Sequence, residues 1–331
     1  MNKIGIIGTG IFGTALALTA ARAGNSVLCQ ARDEDVVAEI NNRHLNSRYL
    51  PDIVLPETIK ATSDMAEVLN FADVVLLTVS AQATRSVMQQ IRPLIKKDTV
   101  IVLCAKGIEL NSGKLLSEIA QEELPNTTIA ILSGPGFAAD IARNKLVSLT
   151  IACEKEGIAA QLAQMLGTAY FRPYLTSDII SPQIGGSVKN VIAIASGVVE
   201  GAQFGDGARA ALITRGFNEM ARLAKVLGGD FQTMMGMCGL GDLVMTASCS
   251  QSRNFSFGYD IGRCGSAEKP MAENTKTVEG IYTAQAVMKR AQTLGIEMPI
   301  CETINHILFD GLKLKPAMEA LMSRPYKEEG I

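Results

Sequence analysis

Ten residues near the amino terminus, Ile4-Gly5-Ile6-Ile7-Gly8-Thr9-Gly10-Ile11-Phe12-Gly13, constrain this chain more than any others. An apolar run rich in β-branched residues, Lys3 to Ile7, enters a G-x-G-x-x-G turn, and an Ala/Leu-rich helical stretch, Thr14 to Ala23, leaves it toward Gly24. Each glycine has a task. Gly8 permits a tight turn out of the strand, Gly10 lets a ligand approach the backbone, and Gly13 lets helix and strand pack closely. A second strand, 27–31, follows, so the context is strand, turn, helix, strand. That arrangement grips the pyrophosphate of a dinucleotide, with the free N–H groups of the helix start aimed at the phosphates.

The residues after the second strand bear on which nicotinamide cofactor is used. An NAD site wants an acidic residue there to hold the ribose 2′-OH. This chain offers Arg32 and then Asp33. Arg32 can stack on adenine and pair with a 2′-phosphate, which favours NADP or use of both cofactors. Alternatively, Arg32 only ends a strand and Asp33 is the N-cap of a helix over 34–41.

The pattern beyond the turn predicts two domains, as the 331-residue length also suggests. Strands are expected at 3–7, 27–31, 58–62, 73–79, 99–105, 128–132 and 147–152, with helices at 11–23, 34–42, 65–70, 82–95, 112–122 and 136–143. Runs such as Val74 to Leu77 and Val100 to Leu103 are apolar throughout, as in strands covered on both faces. The expected first domain, 1–178, is a Rossmann-type doubly wound α/β unit with a mostly parallel sheet, ending in a helix and a short strand over 154–178. Strand signals then stop. Helical periodicity at 186–200, 207–227, 276–294, 299–309 and 315–322 predicts an all-α second domain over 179–331. The Gly/Ser/Lys/Pro stretch 262–273 reads as a mobile surface loop.

Composition narrows the function. A net charge of −2 gives no basic footprint for nucleic acid. The apolar run Val191 to Val199 is far short of the roughly 18 residues of a membrane span. The amino terminus goes directly into a strand, so no signal peptide is expected and the expected location is cytoplasmic. Seven scattered cysteines without a C-x-x-C read as reduced thiols, and two histidines with no metal-ligand spacing argue against a metal site. With so few histidines, proton transfer falls to a lysine or a carboxylate.

Lys189 is the candidate. It sits with Asn190 inside the apolar stretch Gly185 to Ala195. Burial there lowers an ammonium's pKa toward neutrality, although a lysine near a helix end can also snorkel to solvent. Lys106 follows the strand 99–105 at the sheet edge where open α/β folds bind ligands. Gly134-Pro135-Gly136-Phe137 forms another strand-to-helix mouth there. In the helical half, Gly239 to Leu243 and Gln251-Ser252-Arg253-Asn254 form a polar island. Its guanidinium and small hydrogen-bonding groups suit a phosphate dianion, though each also reads as a helix start.

Taken together, these segments resemble the NAD(P)-dependent glycerol-3-phosphate dehydrogenases of the bacterial biosynthetic type. The likeness runs the length of the chain. It covers Gly8 to Gly13, Asn46 to Pro51 with Leu55-Pro56, Ala105-Lys106-Gly107, Ser133 to Pro135 with Phe137-Ala138, Gly185 to Ala195 and Phe204 to Gly216. It continues through Gly239 to Asp242, Ser252 to Asn254, Val278 to Gly280, Met298 to Ile300 and Leu321-Met322. The resemblance implies a second domain like that of 6-phosphogluconate dehydrogenase and reduction of dihydroxyacetone phosphate to sn-glycerol 3-phosphate for phospholipid synthesis. It also implies NADPH or NADH as cofactor, no metal, no nucleic-acid partner, no integral membrane contact, and a homodimer.

The resemblance assigns roles as well. Lys189 would exchange the proton at C2, with Lys106, Asn190, Asp242 and Thr246 around it. Ser252, Arg253 and Asn254 would hold the phosphate, and Gly134 and Gly136 would lie along the substrate, in a cleft between the domains. Gly8, Gly10, Ile11, Phe12, Gly13, Arg32, Lys106, Ala138, Arg253, Val278 and Glu279 would contact the cofactor. The chain departs from the family at Gly136, where Ser or Thr is usual, at Val79-Ser80-Ala81-Gln82, and at Cys238. Two other readings use the same fold. A β-hydroxyacid dehydrogenase would place an asparagine four residues after the lysine, where this chain has Ala193. A nicotinamide-sensing protein without turnover would have little use for Lys189, Lys106, Asp242 and Arg253 together.

Overall fold

A computed structural model describes residues 2–323 of the chain. It divides into two compact units. The first is the chain up to Ala105 with Leu116–Ile179, and the second is Lys106–Leu115 with the chain from Ile180 on. Residues 106–115, which the sequence assigns to the first domain, cluster with the second unit. Over 324–331, the expected extent of the second domain lies outside the described residues.

The first unit is built on an eight-stranded sheet. Its strands are β1 (Lys3–Ile7), β2 (Ser26–Gln30), β3 (Ile59–Thr62), β4 (Val74–Leu77), β5 (Val100–Leu103), β6 (Thr128–Ser133), β7 (Val147–Ala152) and β8 (Phe171–Thr176). Their order is β3-β2-β1-β4-β5-β6-β7-β8, parallel except at the β6–β7 pair. The period-2 alternation of side chains puts two apolar layers on the sheet. Ile4, Ile6, Val74, Leu76, Val100 and Val102 pack in one cluster, and Ile7, Val75, Leu77, Ile101 and Leu103 in the other. The chain runs outward from β1 through β2 to β3, then returns to β4 on the other side of β1. The glycine turn after β1 therefore sits at the switch point, where this class of sheet leaves a crevice.

The second unit is helical, organised around Ile180–Gly201, which is buried along most of its length. A helix apolar on all sides must be surrounded. Helices Asp206–Val226, Asp242–Ala247, Arg253–Cys264, Glu279–Leu294 and Pro299–Phe309 pack against it. It starts six residues before the periodicity suggests, because Pro182 falls in the first turn, where no N–H donor is needed.

Three other expectations are corrected. Arg253–Cys264 is a helix that periodicity does not reveal, because Gly258 and Gly262 interrupt its apolar face. Both glycines permit near backbone contact with Ile180–Gly201. A Cβ at Gly258 would lie 2.0 Å from the Ile194 carbonyl oxygen, and one at Gly197 would lie 2.0 Å from that of Phe255. The stretch 262–273 is not a loop: it contains the end of that helix and a further helix, Glu268–Glu273. Pro270 is tolerated in the latter's first turn, and Ala267 and Met271 pack on the core. The helix expected at 112–122 begins only at Leu116, after a bridge between Ile108 and Leu115.

The close helix crossing gives a direct test. Gly258→Ala should destabilise the protein by about 1–3 kcal/mol through overpacking, lowering the thermal midpoint by several degrees. An unchanged midpoint would show that the helices do not approach this closely.

Candidate active site

In the first unit, the glycine turn has the form its sequence implies. Gly8 has φ +99°, open to glycine and strained for other residues. A Cβ at Gly13 would fall 2.2 Å from the Gly8 carbonyl oxygen, so no larger residue fits there. Around Gly10 the space is open, with nothing within 4 Å of where a Cβ would stand. Gly10 also gives helix Ile11–Arg22 no side-chain cap, leaving first-turn N–H groups for an anion. Thr78 Oγ1 donates to the Gly8 carbonyl at 2.6 Å and steadies the turn. These features fit a dinucleotide pyrophosphate.

Arg32 is exposed just past β2. Asp33 is the N-cap of helix Glu34–Arg43: its Oδ1 accepts from Asp35 N at 3.0 Å, and its Oδ2 pairs with Arg48 at 2.8 Å. With both oxygens engaged, Asp33 takes the capping role that the sequence left as one of two possibilities. Gly134 has φ +143° at the end of β6, and Ala138 opens helix Ala138–Ala142. A Cβ at Gly136 would come within 3.3 Å of Ile141 Cδ1. Gly136 is thus matched to a tight neighbour.

In the second unit, four of the candidate residues meet. Lys189, on Ile180–Gly201, is only 4% exposed. Its ammonium donates to Asp242 Oδ1 and, at 2.7 Å, to Thr246 Oγ1. Lys106 Nζ donates to the other Asp242 oxygen at 2.6 Å. Asp242 is fully buried, so one carboxylate is shared by two lysines. It opens helix Asp242–Ala247 directly after a wide π-helical turn, Met237–Gly241. That turn lies against the lysine helix so closely that a Cβ at Gly185 would stand 2.1 Å from the Cys238 carbonyl oxygen. Burial pushes the Lys189 ammonium down to about 7, against the opposing pull of Asp242 and with the help of the Lys106 charge. These bonds engage two of its three N–H donors.

The remaining candidates separate by what their polar atoms do. Asn190 Oδ1 accepts from Asn254 Nδ2 at 3.0 Å, and Asn254 Oδ1 accepts from Gly280 N at 2.9 Å. Ser252 Oγ caps its helix by accepting from Phe255 N at 3.3 Å. Arg253 itself is exposed and is the charge that offsets part of the burial-driven rise of the Glu279 carboxyl. Val278 is 3% exposed and its side chain packs in the helical core. Residue-by-residue reasoning passes over Glu219, which is buried and accepts from Ile300 N at 2.6 Å and Cys301 N at 3.2 Å, capping helix Pro299–Phe309 from a neighbouring helix. Burial raises its carboxyl to about 7. A lone glutamate beside Met220 and Leu223 on an apolar face was the available signal. Among the described residues there is no group of three or more His, Cys, Asp or Glu that could hold a metal ion, and no helix long and apolar enough to cross a membrane.

Comparison with known proteins identifies the family. Residues 3–159 match the family model for the NAD-dependent glycerol-3-phosphate dehydrogenase N-terminus, and residues 178–319 match that for the C-terminus. The chain belongs to the NAD-dependent glycerol-3-phosphate dehydrogenase family. It is 45% identical to the glycerol-3-phosphate dehydrogenase (NAD(P)+) of Parvibaculum lavamentivorans, over 99% of this chain and 98% of the relative. It is 44% identical to that of Caulobacter vibrioides, over 99% of both chains. The crystal structure of glycerol-3-phosphate dehydrogenase from Coxiella burnetii superposes with a TM-score of 0.91 at 37% identity, covering 98% of this chain and 99% of that one. Membership of the glycerol-3-phosphate dehydrogenase family accounts for the two-part chain and makes NAD(P) its cofactor class.

For this dehydrogenase, the shared carboxylate predicts a measurable shift. Nitrogen-15 NMR of labelled lysine should find the Lys189 ammonium titrating near pH 7. In Asp242→Asn the midpoint should move lower, because the charge favouring the ammonium is gone. A midpoint that stays put or rises would contradict the coupling.

Proposed function

We propose that this protein reduces dihydroxyacetone phosphate to sn-glycerol 3-phosphate with NADPH or NADH, through the cluster of Lys189, Asp242, Thr246 and Lys106. The observation that carries this reading is a buried lysine held by a fully buried aspartate and a threonine hydroxyl, where burial pushes its ammonium down toward neutrality. When bound, the nicotinamide cofactor supplies a hydride to the substrate carbonyl carbon. Lys189 donates its remaining N–H to the carbonyl oxygen, stabilises the negative charge that develops there, and delivers the proton that completes the alcohol. In the reverse direction, neutral Lys189 takes that proton. Asp242 and Thr246 fix the ammonium's direction, and Lys106 holds the other Asp242 oxygen so that the carboxylate does not swing away.

Arg253 is assigned to the substrate phosphate, since it offers an exposed guanidinium at the start of a capped helix. In this reading Asn190, Asn254 and Ser252 brace that region through the bonds described above. Gly8, Gly10, Ile11, Phe12 and Gly13 hold the pyrophosphate, Arg32 serves the adenosine end, and Ala138, Val278 and Glu279 complete the cofactor contacts. Gly134 and Gly136 lie along the substrate. We assign the protein to the cytoplasm as a homodimer, with its product used as the backbone of glycerophospholipids.

The decisive experiment mixes purified protein with NADPH and dihydroxyacetone phosphate and follows nicotinamide absorbance, then repeats with NADH. Oxidation that requires the phosphorylated substrate supports the reading; folded protein that oxidises neither cofactor overturns it. Lys189→Ala should lower kcat on the order of 10²-fold or more. Because reduction needs the protonated lysine, its rate should fall as pH rises through about 7, while the oxidation rate rises over the same range. For Arg253→Ala, the expected change is a higher KM for dihydroxyacetone phosphate with a smaller effect on kcat, and an unaltered KM would remove Arg253 from the phosphate site.

A further inference from the structure

The segment from Asn46 to Pro51 has no role in the chemistry above, yet it is fastened to the glycine turn. It follows helix Glu34–Arg43, whose C-cap His44 is left-handed, with φ 53°. Leu55 N donates to His44 O at 2.8 Å, and Leu50 N donates to Asn46 O at 2.8 Å, closing the loop on itself. Leu50 and Leu55 anchor it in the core of the first unit.

The Asn46 side chain is completely buried. Its Nδ2 donates to Thr14 Oγ1 at 2.8 Å and to the Thr9 carbonyl oxygen at 3.3 Å. Thr14 Oγ1 passes its own proton to the Gly10 carbonyl oxygen at 2.8 Å. Thr9 Oγ1 is held by the Gln30 carbonyl at 2.6 Å. One carboxamide thus grips the turn on both sides of Gly10, directly through Thr9 and by relay through Thr14.

The chemistry required at position 46 is narrow. Both partners are acceptors toward Asn46: a carbonyl oxygen cannot donate, and the Thr14 hydroxyl has already spent its proton on Gly10. The site therefore needs two N–H donors on one small side chain, which a carboxamide provides and an isosteric carboxylate does not. Fixing the Gly10 and Thr9 carbonyls also fixes the peptide planes around them, and with those planes the direction of the N–H groups that meet an anion.

We propose that Asn46 is a positioning residue for the cofactor, holding the turn from Gly8 to Gly13 in the shape that receives the pyrophosphate. The inference rests on the reading of that turn as the dinucleotide site. Its contribution is confined to ligands that carry a pyrophosphate. Adenosine 2′-monophosphate, which has the adenine end but no phosphate at the 5′ position, gains nothing from it.

The test compares wild type with Asn46→Ala, Asn46→Asp and Thr14→Val, measuring Kd for NADPH and for adenosine 2′-monophosphate, with a thermal midpoint for each variant. Wild type should bind both ligands. In the variants, Kd for NADPH should rise about tenfold or more, the size expected when a buried hydrogen-bond network is broken. Kd for the monophosphate should stay within about twofold, and steady-state kinetics should show the loss in KM for NADPH rather than in kcat. Thr14→Val breaks the relay without touching position 46, and it carries the test if the Asn46 variants fail to fold. Unchanged NADPH affinity, or equal losses for both ligands, would overturn the positioning role. Wild type that fails to bind NADPH would instead overturn the reading of the turn itself, and with it the inference.

Discussion

The buried ion pair between Lys189 and Asp242 is the interaction on which the helical unit's design depends. An ammonium taken out of water is costly, and its desolvation favours the neutral amine. Asp242 opposes that loss without abolishing it, because the same carboxylate also serves Lys106. The lysine is left balanced near neutrality rather than locked as a cation. Removal of the carboxylate would leave the two lysines facing each other with no anion between them, and Lys189 would shed its proton more readily. The cluster is therefore a set of mutually dependent charges, not three separate contacts.

That balance requires the backbone to place Asp242 beside Lys189 with little tolerance. Two kinds of close approach achieve it. The π-helical turn before Asp242 widens the path of the chain just where Gly185 lets the Cys238 carbonyl come near, and such turns often occur at functional sites. On another face of the same helix, Gly197 and Gly258 let Arg253–Cys264 nest against Ile180–Gly201. Through Asn190, Asn254 and Gly280, that contact ties the lysine helix to the start of Glu279–Leu294. Small residues here define distance, and carboxamides define direction.

Much of this was legible in the sequence for physical reasons. The glycine turn could be read because its steric demands exclude other residues at Gly8 and Gly13. The sheet could be read because strands covered on both faces must be apolar throughout, as at Val74 to Leu77. Lys189 stood out because a charge inside an apolar helix needs an explanation. What escaped notice depended on tertiary context. Arg253–Cys264 has glycines that weaken a helix in isolation and are tolerated only because a neighbouring backbone occupies the space. The pairing of Lys106 with Asp242 joins residues 136 positions apart, and no local pattern encodes it. Asn46 belonged to a recognisable motif, but its role became visible only with Thr9 and Thr14 beside it.

The excursion of residues 106–115 into the helical unit bears on how the chain can be made and cut. The backbone passes between units three times, not once, at 105/106, 115/116 and 179/180. During synthesis from the amino terminus, the ribosome releases Ile108 and Leu115 long before the helices that bury them exist. The nascent first unit must carry a sticky apolar hairpin until the last third of the protein emerges. A cut at the boundary suggested by the sequence would give two damaged pieces: one bearing that orphaned hairpin, the other an aspartate deprived of its second lysine. Inheritance of these units as interchangeable modules is thereby obstructed, since the helical unit takes part of its interior from a segment that lies within the first.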